Sequence, residues 1–375
     1  MLTKPIHFIS IAIPVIATAV LAMTLGSTVP LYCYMLMLFG IPLLVVLVGL
    51  LLSHMTNKCT EYLGAYVTDI THYEPWDEQV LRYRQVADGK DSNDMTKYRT
   101  ETYYETVYHP DSYTYNTNIG KHGIISEMQF NHWQNMLNDI DPTFVDMHRN
   151  YHTINGNAWR YTWNGDREFM VPLTFKHRYF NPLKYSNSIF NIKSIDKEVA
   201  EGMGLYEHPG IMNHWYQKCL LGDSQDQYLN ITIQRLNAEL GWLHQFRLFV
   251  LVFNGYKNGI EIVQKQKAYW NGGNRNEFVV CVGIDKETND LIWHDSFSWC
   301  KDHKLEAMTR NYLASKDKFD CYKLCMWLET VVPDNWERRN FKEFKYLDTT
   351  LPAWASALLV TLSIVATLSI GLLAI

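Results

Sequence analysis

Three uncharged apolar runs, residues 8–25, 31–52 and 351–375, bracket one long polar stretch, and no other feature limits the fold of this chain so strongly. A helix needs roughly 20 residues to cross a hydrocarbon core about 30 Å thick, and each run is of that order. The chain therefore reads as an integral membrane protein in contact with the lipid bilayer. The first two runs are joined only by Gly26-Ser27-Thr28-Val29-Pro30, which is too short to fold and is suited to a turn. They read as a membrane hairpin over residues 1–53. The first run taken alone also fits a secretory signal, with Lys4 as its basic region and small residues between Ala17 and Gly26. The second run anchors the chain in either case.

Basic residues near helix ends stay on the cytoplasmic side. Lys4, Lys58, Arg338, Arg339, Lys342 and Lys345 all lie on the side that carries the polar stretch, while the short turn and the extreme C-terminus carry no charge. A cell-membrane protein with a cytoplasmic domain follows. The seven cysteines, an odd number, do not suggest a disulfide framework. Cys321 and Cys325 would share one face of a helix as packing residues, because two thiols make an incomplete zinc site. The acceptor pattern Asn230-Ile231-Thr232 is without meaning on the cytoplasmic side.

Every charged side chain except Lys4 lies in the polar stretch, and the whole chain is net −5, so no basic stripe exists to hold nucleic acid. The stretch is long enough for two domains, 54–222 and 223–348, followed by a C-terminal membrane helix at 351–375. The first half is expected to be β-rich. Residues 100–109 (TETYYETVYH) read as a strand, and 157–163 and 167–175 flank Asn164-Gly165-Asp166 as a hairpin would. A helix is expected over 126–139. In the second half, Ser224 and Gln227 form a capping box before the stripe Leu229, Ile233, Leu236 and Leu240. Residues 246–253 and 278–284 read as buried strands and 291–299 as a third; helices are expected over 260–270, 305–313 and 320–330. That order implies an α/β (α+β) sandwich.

The segments QRLNAELG, FRLFVLVF, AYWNGGNRNEFVVCVGID and LIWHDSFSW, within about residues 225–300, resemble the TPM domain. That family of membrane-anchored proteins includes a thylakoid acid phosphatase and assembly factors of membrane complexes. The resemblance implies a helix, strand, helix, strand, strand order in which Trp270-Asn271-Gly272-Gly273 is the loop and Asp285 the acidic residue ending a strand.

Candidate sites are few. Asp285 and Asp290 in the loop DKETND, with Asp295 and Asp302 beyond, offer hard oxygen ligands for Ca²⁺ or Mg²⁺, and a bound ion would polarise a phosphoryl group. A turn of Asp, Asn, Lys and Thr also needs no metal to explain it. DITHYEPWDE (69–78) brings Asp69, His72, Glu74, Asp77 and Glu78 together, but Tyr62, Tyr66, Tyr73 and Trp76 read as an aromatic belt at the bilayer surface with solvated charges around it. Asp146, His148 and His152 lack the glutamate of a zinc-protease motif. Cys281, Cys300, and Ser296 beside His294 are the candidate nucleophiles. Cys281 sits in an apolar strand, and His294 and Asp295 point to opposite faces. Two functions follow: an interaction or assembly factor that binds another membrane protein, or a metal-assisted phosphohydrolase built on the TPM-like half.

Overall fold

The computed structural model describes residues 5–374 except 26–27, 91–93, 147–155, 182–183, 185–194, 213–214, 223–226, 272, 299–300, 302 and 345–350. His148, His152, Cys300, Asp302 and the capping residue Ser224 lie outside the described residues. Helix α1 (Pro5–Thr24) is followed by α2 (Leu31–Met35), a π-helical turn (Leu36–Gly40) and α3 (Ile41–Thr56), which together make one continuous rod. The π turn precedes Pro42, whose ring would crowd the Leu38 carbonyl and which has no N–H to donate. Two helices, Leu31–Thr56 and Ala353–Leu373, are long and apolar enough to cross a membrane; the apolar part of α1, Phe8–Thr24, is shorter. The three pack together: Met37, Ile41 and Val45 meet Leu351, Ala355 and Leu359. Ser363 donates a hydrogen bond to the Ser10 carbonyl at 2.6 Å. Their outer faces expose Leu31, Leu43, Leu51, Leu368 and Leu372, a surface suited to lipid and not to water.

The chain leaves α3 directly into strand β1 (Lys58–Tyr73). Lys184 donates to the Thr56 and Lys58 carbonyls, both at 3.1 Å, placing a cation on the helix C-terminus. Strands β2 (Trp76–Lys90) and β3 (Thr96–His109) pair only with each other. Next come β4 (Ser112–Thr117), β5 (His122–Ile125), α4 (Glu127–Leu137), β6 (Thr143–Val145), β7 (Ala158–Thr162) and β8 (Pro172–Phe180). β1 is the spine of a six-stranded sheet, with β4 on one edge and β7 and β8 on the other. The expected hairpin at Asn164-Gly165-Asp166 does not form. Both flanking segments run antiparallel to β1, end to end, with β8 on Lys58–Tyr66 and β7 on Asp69–Tyr73. Gly165 has φ +93°, but Asp166 has φ −79° and caps a 3-10 turn, so the excursion lacks the pair of positive φ values of a two-residue hairpin. Helix α4, capped by Ser126, packs Phe130, Trp133 and Leu137 against Val67 and Ile70.

After α5 (Lys197–Met203) and the short strands β9 (Ile211–Met212), β10 (Tyr216–Gln217) and β11 (Leu220–Leu221) comes α6 (Gln227–Leu243). The order then runs β12 (Arg247–Asn254), α7 (Ile262–Tyr269), β13 (Glu277–Ile284), β14 (Leu291–Ser298), α8 (Lys304–Ala314), α9 (Cys321–Asn335) and α10 (Ala353–Ala374). β11, β12 and β13 are parallel and β14 closes the sheet antiparallel. Continuous apolar sequence matches continuous burial in β12 and β13, and α9 runs through Pro333 instead of ending before it. Cys321 and Cys325 are buried packing residues of α9.

Helix α6 belongs to both sheets. It packs on β1 and β8 as well as on β12 and α9. Gly64 of β1 lies so close that a Cβ there would stand 1.9 Å from the Asn237 carbonyl oxygen, and one on Gly241 would stand 2.6 Å from the Gly64 nitrogen. The excursion between β7 and β8 locks the same joint, where Arg167 pairs with Glu239 of α6 at 3.4 Å and with Glu329 of α9.

Candidate functional site

The structure separates the three acidic residues that could form a metal site. Asp285 and Asp290 close the β13–β14 turn, where the Asp285 N–H bonds the Asp290 carbonyl at 3.0 Å and the Asp285 carboxylate accepts the Glu287 N–H at 2.9 Å. The Asp290 carboxylate accepts the Thr288 hydroxyl at 2.7 Å. Asp295 stands opposite Cys281, four residues along β14 from Leu291 or roughly 13 Å at strand spacing. Its carboxylate is taken by Arg310 at 2.6 Å. Among the described residues no group of three or more His, Cys, Asp or Glu side chains could hold a metal ion. Turn geometry and a surface ion pair already account for these carboxylates.

Other sequence candidates find protein partners too. In DITHYEPWDE the side chains go to separate partners: His72 bonds Asp111 at 2.8 Å, Glu74 accepts from Trp159, and Glu78 bonds His109 at 2.9 Å. Tyr73 and Trp76 lie at the far end of β1, roughly 50 Å of extended chain beyond α3, too far for a belt beside the apolar helices, whereas Tyr62 follows α3 by only a few residues. Trp76 packs on Ala158, and Tyr66 meets Trp163 edge to face. Cys281 has no exposure, and burial together with Asp295 pushes its thiol well up. Burial also pulls the His294 imidazole down.

Two buried ionic groups hold the body together. Glu61, with no exposure, accepts from His177 Nδ1 at 2.7 Å and is paired with Arg338, while Arg275 lies 3.9 Å away. Both guanidinium groups lie over the Tyr179 ring, at 4.3 Å for Arg275 and 5.5 Å for Arg338. Burial, with Cys59 and Glu61 nearby, raises the Tyr179 hydroxyl far above its ordinary range. Glu277, also buried, bonds His208 Nε2 at 3.0 Å and both the N–H and the amide of Asn274. Both groups are tied into protein.

The β2–β3 ribbon is different. Near its root Trp76 stacks on His109 at 4.0 Å, and from there paired residues run outward from Asp77↔Tyr108 to Ala87↔Tyr98. Strand pleating sorts them onto two faces. One face carries the cross-strand ion pairs Arg82–Glu105 at 2.7 Å and Arg84–Glu101 at 2.8 Å. The other carries Leu81, Tyr83, Tyr98, Tyr104 and Tyr108 among Thr100, Thr102, Thr106, Gln79, Gln85 and Ala87, with Asp77 at the root and Lys90, paired with Thr96 near the tip, as its charges among the paired residues. Residues 81–85 and 102–106 are exposed throughout, and Tyr83 and Tyr104 stand 67% and 63% exposed.

No family model, curated protein or solved structure matches this chain. Among the described elements the ribbon stands out, paired only with itself and exposed on its tyrosine face. Sequence reading recognised half of it, residues 100–109, and missed the partner strand. The missed signal was the mirrored charge order, Arg82 and Arg84 against Glu101 and Glu105, across a turn with positive φ at Gly89 and Asp94. The Glu61 network carried no local signal, because Arg338 is 277 residues away.

Proposed function

We propose that this chain is a membrane-anchored interaction protein that presents the β2–β3 ribbon to a protein partner at the membrane, with its polar body on the cytoplasmic side. One observation carries the reading: an isolated two-stranded ribbon is marginal in water, yet this one extends 14 to 15 residues per strand with a tyrosine-rich face uncovered. Tyrosine supplies large contact area at low entropic cost and is enriched at protein interfaces. The apolar helices supply the anchor, and Lys58, Arg338 and Arg339 beside them supply the orientation. The metal-assisted phosphohydrolase reading would need Asp285, Asp290 and Asp295 to converge on an ion, whereas each carboxylate bonds to protein.

The test is to excise residues 80–105 and join Gln79 to Thr106 through an Asn-Gly turn, which suits a two-residue hairpin. The shortened chain should stay in carbonate-washed membranes and keep a cooperative thermal transition, but leave the larger assembly that the full chain enters on native electrophoresis. Identical migration of the two assemblies, once the excised mass is allowed for, would defeat the reading.

A further inference from the structure

We infer that the tyrosine face of the β2–β3 ribbon docks on the same face of a second copy of this chain. The inference rests on the reading of the ribbon as the docking element and adds the identity of the partner. Charge comes first. The ion-paired face neutralises its own arginines and glutamates across the strands, so it makes no call on a partner. The tyrosine face has no charged residue from Leu81 outward to Ala87 or from Tyr98 back to Tyr108. A face without a field selects no oppositely charged partner. Apposing two copies brings no like charges together over that length, and the charges of this face, Asp77 at the root and Lys90 near the tip, lie outside it.

Area comes second. A tyrosine buries about 150–250 Å² when covered, and Tyr83, Tyr98, Tyr104 and Tyr108 are all about two-thirds exposed. Together they offer roughly 400–650 Å² per copy, to which Leu81 and three threonines add. Stable interfaces begin near 1,200 Å² in total, or about 600 Å² a side. One ribbon face laid on its twin therefore reaches the size of a specific dimer. Composition comes third, because a two-fold interface must be self-complementary. Tyrosine and threonine satisfy that condition: phenol rings stack on one another, and each hydroxyl both donates and accepts. Leu81↔Tyr104 and Tyr83↔Thr102 are the two central pairs of the face, so Tyr83 and Tyr104 lie at its middle, where truncation costs most.

The experiment uses the full chain in native membranes, with a photo-reactive phenylalanine derivative at position 104, followed by mass measurement of the adduct and of the unmodified chain in detergent. An adduct of twice the chain mass, with a dimer in detergent, is the expected result. The double variant Tyr83→Lys with Tyr104→Lys should weaken that dimer at least ~100-fold, since it removes central anchors and sets like charges face to face. Its fold should not change, read as an unaltered circular-dichroism spectrum, because both side chains are exposed in the single chain. An adduct with a different protein would overturn the second-copy inference and leave the docking reading standing. A monomer with no adduct would overturn both. A dimer unaffected by the double variant would place the interface elsewhere and also overturn the inference.

Discussion

Glu277 carries opposing influences within one side chain. Burial alone would push its carboxyl up, but the hydrogen bond and charge of His208, with the bonds from Asn274, hold it below the ordinary range. A carboxyl whose folded value lies below its unfolded value, about 4.3, stabilises the fold above that value. The contribution is lost as pH falls through the folded value. Stability measured by chemical denaturation should therefore drop on acidification from about pH 6 to about pH 3, and Glu277→Gln should flatten that slope. Parallel slopes in the two proteins would show that Glu277 is not the group responsible. Asp285 is the contrasting residue. Its position at the end of a buried strand was legible, but the destination of its carboxylate was not, because an Asx turn and a metal site draw on the same residue types.

At the scale of elements, the apolar pattern located β12, β13, α4 and α6 within a few residues, since a run of FRLFVLVF has nowhere to go but a covered strand. Pattern failed at residues 157–175, where the Asn-Gly pair is a local signal and the 16-residue length of β1 is a long-range one. A spine that long leaves room for two strands end to end, and pairing with it outweighed pairing between neighbours. The contact of β1 with α6 depends on glycine for a steric reason. Gly64→Ala would drive a methyl group into the Asn237 carbonyl, which α6 cannot withdraw because Arg167 pins it to the β7–β8 excursion. A loss of about 3 kcal/mol or more in unfolding free energy is expected, and a neutral alanine would mean that the two sheets are not held at this distance.

For the whole molecule, Glu61 lies just after α3 and Arg338 just after α9, so their buried pair ties the exit of an apolar helix to the body. The direction in which this unit faces is a matter of flanking charge. A single cysteine at Tyr256, exposed in the loop after β12, should resist an impermeant thiol reagent applied to intact cells, whereas one appended after Ile375 should react. Labelling at position 256 would reverse the proposed orientation.

Sequence alone determined that two long apolar helices flank a mixed α/β body and that the second half alternates helix and strand. Those features follow from hydropathy and periodicity, which act over a few turns of chain. Tertiary structure decided what no window of sequence contains. It set the registry of β7 and β8 on β1, the sharing of α6 between two sheets, and the pairing of Glu61 with a residue far along the chain. It also dispersed the acidic residues and left a tyrosine face uncovered on the ribbon. The physical reason is that hydrogen-bond partners and close steric contacts are chosen by proximity in space, and long-range proximity appears only once the whole chain is packed.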